Sequence, residues 1–286
     1  MLAQGSPWIL YLVLLAAVLH ATWNLLAKII PDQVTAFWLV NIAVIPSAAV
    51  LLLFFKIPSN FPWVLLLMSS VIHLAYNLFL LSSYRQGDLS RTYPIARGLA
   101  PPLVALFAYL ILGERLSLLA ASGIILVVVA LSSLAFERDG YFAPRGNGAG
   151  YAVLTGGAIA GYSLIDGVAS RSIADPLTYV AVLMGVEGTL VAVVLSAVRL
   201  RSPIRRVPKG RDVALGLTAG SISVVAYAIV VWAQSRVALA EVSALRESSV
   251  VFASLYGAYI LKEGSLLRRL LAGLGVAVGI ALIVLG

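Results

Sequence analysis

The chain has no cysteine, only two histidines and few charges: Asp, Glu, Lys and Arg make up 11% of its 286 residues. Without thiols there is no disulfide framework and no thiolate nucleophile. With two histidines besides, no transition-metal site is expected. A soluble domain of this length carries about 25% charged residues. The shortage of charge, set beside 61% hydrophobic residues and a mean hydropathy of +1.01, describes an integral membrane protein. Enzyme signatures are missing too: there is no HExxH, no GxSxG and no phosphate-binding GxxxxGK(S/T). The chain is therefore read as a non-enzyme with no cofactor. Any uphill work would draw on an ion or substrate gradient. Acid is scarcer than base, giving a net charge of +8. The basic residues lie mostly in short loops between apolar runs, a pattern that reports topology and contact with anionic lipid, not nucleic acid.

What the chain does have is apolar runs of about 20 residues, the length that crosses a bilayer. They fall near residues 8–29, 34–55, 62–84, 90–112, 117–136, 149–170, 176–199, 212–233, 239–261 and 268–286. The opening MLAQGSPWILYLVLL lacks a basic n-region and a small-residue cleavage site, so it reads as the first span. The fold class that follows is an all-α polytopic membrane protein of ten transmembrane helices. A polar, glycine-containing loop at 137–148 divides it into a first five-helix half, 1–136, and a second, 149–286. Five is odd, so the second half enters the membrane from the opposite side, and the halves are expected to be inverted repeats. Of the 20 Lys and Arg, 14 fall in loops after odd-numbered helices, which by the positive-inside rule places both termini outside the cytoplasm.

One stretch organises the rest. RTYPIARGLAPPLVALFAYLILGER, residues 91–115, carries Arg97 at membrane depth with Pro94, Pro101 and Pro102 nearby. A charge at that depth costs about 3 kcal/mol or more and faces a bundle interior or a water-filled cavity. About 149 residues later the chain repeats itself, with Arg246 in place of Arg97 and Glu263 in place of Glu114. Around this pair stand further polar side chains. His20, Trp23 and Asn24 share one face of helix one, and His73, Tyr76 and Asn77 one face of helix three. Tyr93 precedes Arg97. Tyr162, Asp166 and Ser170 line helix six, Glu187 interrupts an apolar helix seven, and Tyr227 lies on helix eight. The same residues would serve as interhelical hydrogen bonds in a purely structural role.

Read functionally, arginine offers a carboxylate or phosphate a bidentate fork. An acid such as Asp166 or Glu187 would receive an amine or a coupling proton. These two acids are also expected to ion-pair with Arg97 and Arg246. Glu247 lies about 100° round the helix from Arg246 and is expected to face elsewhere. The aromatics Trp23, Tyr76, Tyr93, Tyr162 and Tyr227 would supply apolar walls with polar tips. Trp8, Trp38 and Trp63, near helix ends, read as interfacial belt residues. The spacings Gly157/Gly161 and Gly275/Gly279 suit close helix contact, within a monomer or in a homodimer.

With ten spans, two inverted halves and the endings LILGERLS and YILKEGSL on helices four and nine, the chain resembles the EamA-type permeases of the drug/metabolite transporter superfamily. HATWNLLAK is similar to that family's W-x-x-N…K signature, with Trp23, Asn24 and Lys28 at or near its positions, although here Asn24 follows the tryptophan directly. The resemblance implies an exporter working by alternating access, with helices five and ten at the periphery and both termini cytoplasmic, against the charge count. Glu114 and Glu263 match the glutamate that ends the fourth helix of each half, expected to cap and anchor a loop. Taken together, these readings describe a secondary transporter of small polar metabolites, foremost amino acids, in a bacterial inner membrane. Arg97 and Arg246 would hold the carboxylate. His20, His73, Trp23, Asn24, Tyr76, Asn77, Tyr93, Tyr162, Asp166 and Tyr227 would line the site, and Asp166 and Glu187 would couple charge or protons. The alternatives are a multidrug or cation exporter and a non-transporting membrane scaffold.

Overall fold

A computed structural model describes residues 7–86, 89–133, 148–201, 207–252, 256 and 266–285. In lipid every backbone N–H and C=O must be paired within the chain, so apolar runs of this length become helices. They do: α1 (Pro7–Ile29), α2 (Gln33–Leu52), α3 (Trp63–Gln86), α4 (Leu89–Phe107), α5 (Leu118–Ser133), α6 (Gly148–Arg171), α7 (Pro176–Arg201), α8 (Gly210–Gln234), α9 (Leu239–Arg246) and α10 (Leu266–Leu285). Among the described residues there is no strand. Among the described residues seven helices, all but α5, α9 and α10, are long and apolar enough to cross a membrane, and α5 and α10 add two shorter apolar helices. The molecule is an all-helical, multi-pass membrane protein. The loop 137–148 lies outside the described residues except for Gly148, which opens α6.

Two helices depart from regularity, and both carry a matching arginine. The prolines at 101 and 102 deny Arg97 and Gly98 their usual i+4 donors. The helix nonetheless runs on and ends in a π-helical turn, Ala108–Leu112, closed by Gly113 in the left-handed region at φ 66°. Glycine suits that conformation because it has no Cβ to clash. Span nine, expected to be continuous over 239–261, breaks instead: α9 ends at Arg246, Glu247 and Ser248 form a turn, and helix resumes at 249–252. The remainder of that span, with Glu263, lies outside the described residues.

Packing runs across the two halves of the sequence. α3 lies along α6, α1 along α8, α2 against α7 and α8, α4 against α6, and α5 along α10. Glycine sets the closest approaches. A Cβ at Gly220 would fall 2.3 Å from the Val40 carbonyl oxygen, and one at Gly156 2.8 Å from that of Ala96. At the α5/α10 crossing the relation is mutual: a Cβ at Gly123 would meet Gly279 O at 2.5 Å, and one at Gly279 would meet Gly123 O at 2.8 Å. Gly275 lies against Ala130 in the same crossing, so Gly275/Gly279 serves packing within the chain. Gly157 and Gly161 have no such close neighbour. Gly156, one residue earlier, does that work for α6.

Candidate functional site

Polar side chains gather inside the bundle in two adjoining clusters. The first is basic. Arg97 from α4 and Arg246 from α9 are each 1% exposed, and both grip Glu247, which is fully buried. Arg246 donates through Nε and Nη2 to Glu247 Oε1 at 3.1 and 3.0 Å. Arg97 donates through Nη1 to Oε2 at 3.3 Å. Arg246 Nη1 also reaches Ser163 Oγ on α6 at 3.3 Å, and Arg97 Nη2 lies 2.5 Å from His20 Nε2 on α1. Two guanidinium groups thus share one carboxylate across α4 and the break after α9. The expectation for Glu247 is corrected: it does not face elsewhere. Its residue sits in the turn, and two long side chains close the 100° between neighbouring positions.

The second cluster is acidic and aromatic. Asp166 on α6 is fully buried and accepts from Tyr179 Oη on α7 at 2.7 Å and from Tyr227 Oη on α8. His73 Nε2 on α3 stands 4.0 Å from Asp166 Oδ2, and its Nδ1 lies 3.1 Å from Ser69 Oγ. The His73 ring stacks on Tyr162 at 3.9 Å between centroids, and Tyr76 meets Tyr162 edge-on at 5.6 Å. Glu187 on α7, 7% exposed, takes a 3.4 Å hydrogen bond from Asn77 on Oε1, and its Oε2 has no partner among the described residues. Tyr162 joins the clusters, its ring centroid 5.8 Å from the Arg246 guanidinium carbon.

This arrangement corrects a second expectation. Among the described residues neither Asp166 nor Glu187 is within ion-pair distance of Arg97 or Arg246: tyrosines bond Asp166, Asn77 touches Glu187, and both arginines turn to the near-at-hand Glu247. The stripes on helices one and three also part company. His20 turns to Arg97, whereas His73 and Asn77 turn to the acids. Trp23 is buried against His20, ring centroids 5.1 Å apart, with its Nε1 unpartnered among the described residues. Asn24 bonds back to the carbonyl of His20 at 2.8 Å, which is local helix bonding. Ser170 likewise bonds back, to Gly167 O at 3.0 Å. The side chain of Tyr93 lies outside the described residues.

Tyr179 and Ser163 escaped sequence reading, but Tyr179 left a signal. The α6–α7 link is only four residues long (172–175). In such a hairpin a residue shortly before the link faces one shortly after it, as Asp166 faces Tyr179. Trp8 and Trp63 are half-exposed, in keeping with a belt. Trp38 instead donates to Ser196 on α7 at 2.8 Å.

A separate ion pair lies at the helix ends. The left-handed Gly113 turns the chain so that Glu114 accepts from Arg171 Nη1 at 2.6 Å and from the backbone N–H of Leu239 at 3.0 Å. Arg171 also donates to the carbonyls of Gln234 and Val237, each at 2.8 Å. Glu114 therefore anchors the ends of α4, α6 and α8 and the start of α9.

The comparison with family models decides the relationship: the model described as the EamA-like transporter family matches twice, over residues 7–136 and 147–285. The chain belongs to the EamA-like transporter family. It is thus a member of the drug/metabolite transporter superfamily, with one match in each half. Of 29 solved chains that match, one titled only "Crystal structure of protein" shares 17% identity at a TM-score of 0.76, covering 96% of this chain and 94% of that one. That likeness speaks to the fold alone. A comparison with curated proteins finds no significant match.

Proposed function

We propose that this EamA-family member is a secondary transporter that exports small carboxylate-bearing metabolites, foremost amino acids, across a bacterial inner membrane by alternating access. One observation carries the reading: two membrane-depth arginines, one from each half of the chain, converge on a single carboxylate at a helix break. Discontinuous helices with charged groups near the midplane are how many transporters build a substrate site. A structural role alone does not call for two arginines, since replacing a buried ion pair by packed apolar groups is often neutral or stabilising. The cargo's carboxylate would sit on Arg97 and Arg246. Asp166, framed by Tyr227 and His73 with Glu187 near, would receive the amine or a coupling proton. The packing of α1 on α8 and of α3 on α6 supports two inverted five-helix repeats that rock against each other, since exchange of halves turns each pair into the other.

Transport by purified protein in proteoliposomes tests this. Arg97→Lys and Arg246→Lys keep the charge but lose the fork, and each is expected to cut amino-acid efflux at least tenfold while the fold is retained. Wild-type rates in both variants would end the reading. A second reading, export of organic cations, is favoured by the aromatic surround of Asp166. In that case Asp166→Asn abolishes transport and the arginine variants do not.

A further inference from the structure

Glu247 occupies the seat that an anionic cargo would need. Its Oε1 takes both Nε and Nη2 of Arg246, two donors converging on one carboxylate oxygen, and its Oε2 takes Arg97 Nη1. The residue is buried in the turn between two helical pieces, where bonds such as Ser248 N to Leu245 O and Val250 N to Glu247 O replace the i→i−4 ladder. A cargo carboxylate seated on Nε and Nη2 of Arg246 and on Nη1 of Arg97 takes these contacts over. Glu247 would then be a carboxylate stripped of its counterions and set beside a second anion, an arrangement that strongly favours its protonated form.

Resting on the reading above, we propose that Glu247 is an internal stand-in for the cargo's carboxylate and that each anion bound brings one proton with it. The exchange balances. The Glu247 carboxylate on two guanidinium groups, plus a cargo carboxylate and a proton from water, becomes a Glu247 carboxylic acid plus the cargo carboxylate on the same two guanidinium groups. The net gain of charge is zero, so the anion enters a membrane-depth site without an uncompensated charge. The groups facing Glu247 fit the role. Beside its own neighbour Arg246 stand Arg97 from α4, with His20 of α1 behind it, Tyr162 from α6, and Tyr227 of α8 beyond. α5 carries no titratable residue, and α10 only Arg268 and Arg269 in its first turn. Among the described residues, Glu247 is the carboxylate in direct contact with both arginines. Asp166 already holds two tyrosine hydroxyls and keeps them whether or not the arginines change partner.

Binding measured against pH on the purified full chain tests this. The probes are L-phenylalanine and 3-phenylpropionate, which share a carboxylate and differ in the amine, followed by calorimetry in detergent. Wild-type dissociation constants are expected to fall about tenfold for each unit of acidification, the slope for one co-bound proton, with one proton taken up per ligand in weakly buffered solution. Glu247→Gln keeps the size and cannot exchange a proton. It is expected to bind 3-phenylpropionate with no slope and no proton uptake, at or above wild-type affinity. A pH-independent wild type, or a slope that survives in Glu247→Gln, overturns the stand-in while leaving the arginine site intact. Failure of the wild type to bind either probe at any pH overturns the carboxylate reading itself.

Discussion

The basic and acidic clusters adjoin through Tyr162 and are held in opposite ways. Asp166 is clamped by phenols on two further helices, Tyr179 and Tyr227, whose rings are packed in the largest apolar cluster of the bundle. Arg97, Arg246 and Glu247 meet at the ends of long, many-jointed side chains, and one of the helices carrying them is broken where they meet. A short carboxylate held by rigid rings keeps its position. A carboxylate held by flexible arms at a turn can change partners at little cost in backbone rearrangement. The difference sets a polar post held by packed rings against one held by long side chains at the turn after α9.

The largest effect should come from breaking the shared carboxylate. Arg246→Ala strips Glu247 of two donors and leaves it buried against Arg97 alone, a change expected to cost about 3–5 kcal/mol, read by unfolding in detergent, and to abolish efflux. Asp166→Asn should cost less, about 1.5–3 kcal/mol, because the amide keeps partners among the phenols and loses only the charge that strengthened them. Tyr179→Phe and Tyr227→Phe remove one donor each and should cost about 1–2 kcal/mol. A double-mutant cycle between them should reveal coupling of at least 0.5 kcal/mol, as expected where two groups share one acceptor. Equal loss on the basic and acidic sides would contradict the contrast between exchangeable and fixed. Glu114→Gln, at the helix ends, should cost the least, about 0.5–1.5 kcal/mol. Arg171 keeps its two carbonyl acceptors, and the amide still accepts from Leu239 N–H.

The membrane class and the all-helical architecture were legible in the sequence because hydropathy over about 20 residues is a long signal. The arginines were legible because a charge in an apolar run has few reasons to be there. What escaped was how the charges pair. Asp166 and Glu187 are the obvious counter-ions by span, yet Glu247 wins by adjacency, and a helical wheel hides the pairing because it assumes the helix continues past Arg246. Tyr179 was passed over as another aromatic in an apolar stretch. Only the hairpin geometry of α6 and α7 brings it to Asp166. The anchoring role of Glu114 was legible through the resemblance of the LILGERLS ending to the EamA-type family. The partners of Glu114, on α6 and at the start of α9, were not, since no spacing relates residues 114, 171 and 239.

Where α5 crosses α10, peptide backbone rests on peptide backbone through Gly123 and Gly279. No side chain lies between the two glycines, so this crossing fastens the two halves by direct backbone contact, with Ile283 and Val127 packed beside it. A larger residue at either position would wedge the two helices apart and loosen that seam while leaving Arg97, Arg246 and Glu247 untouched.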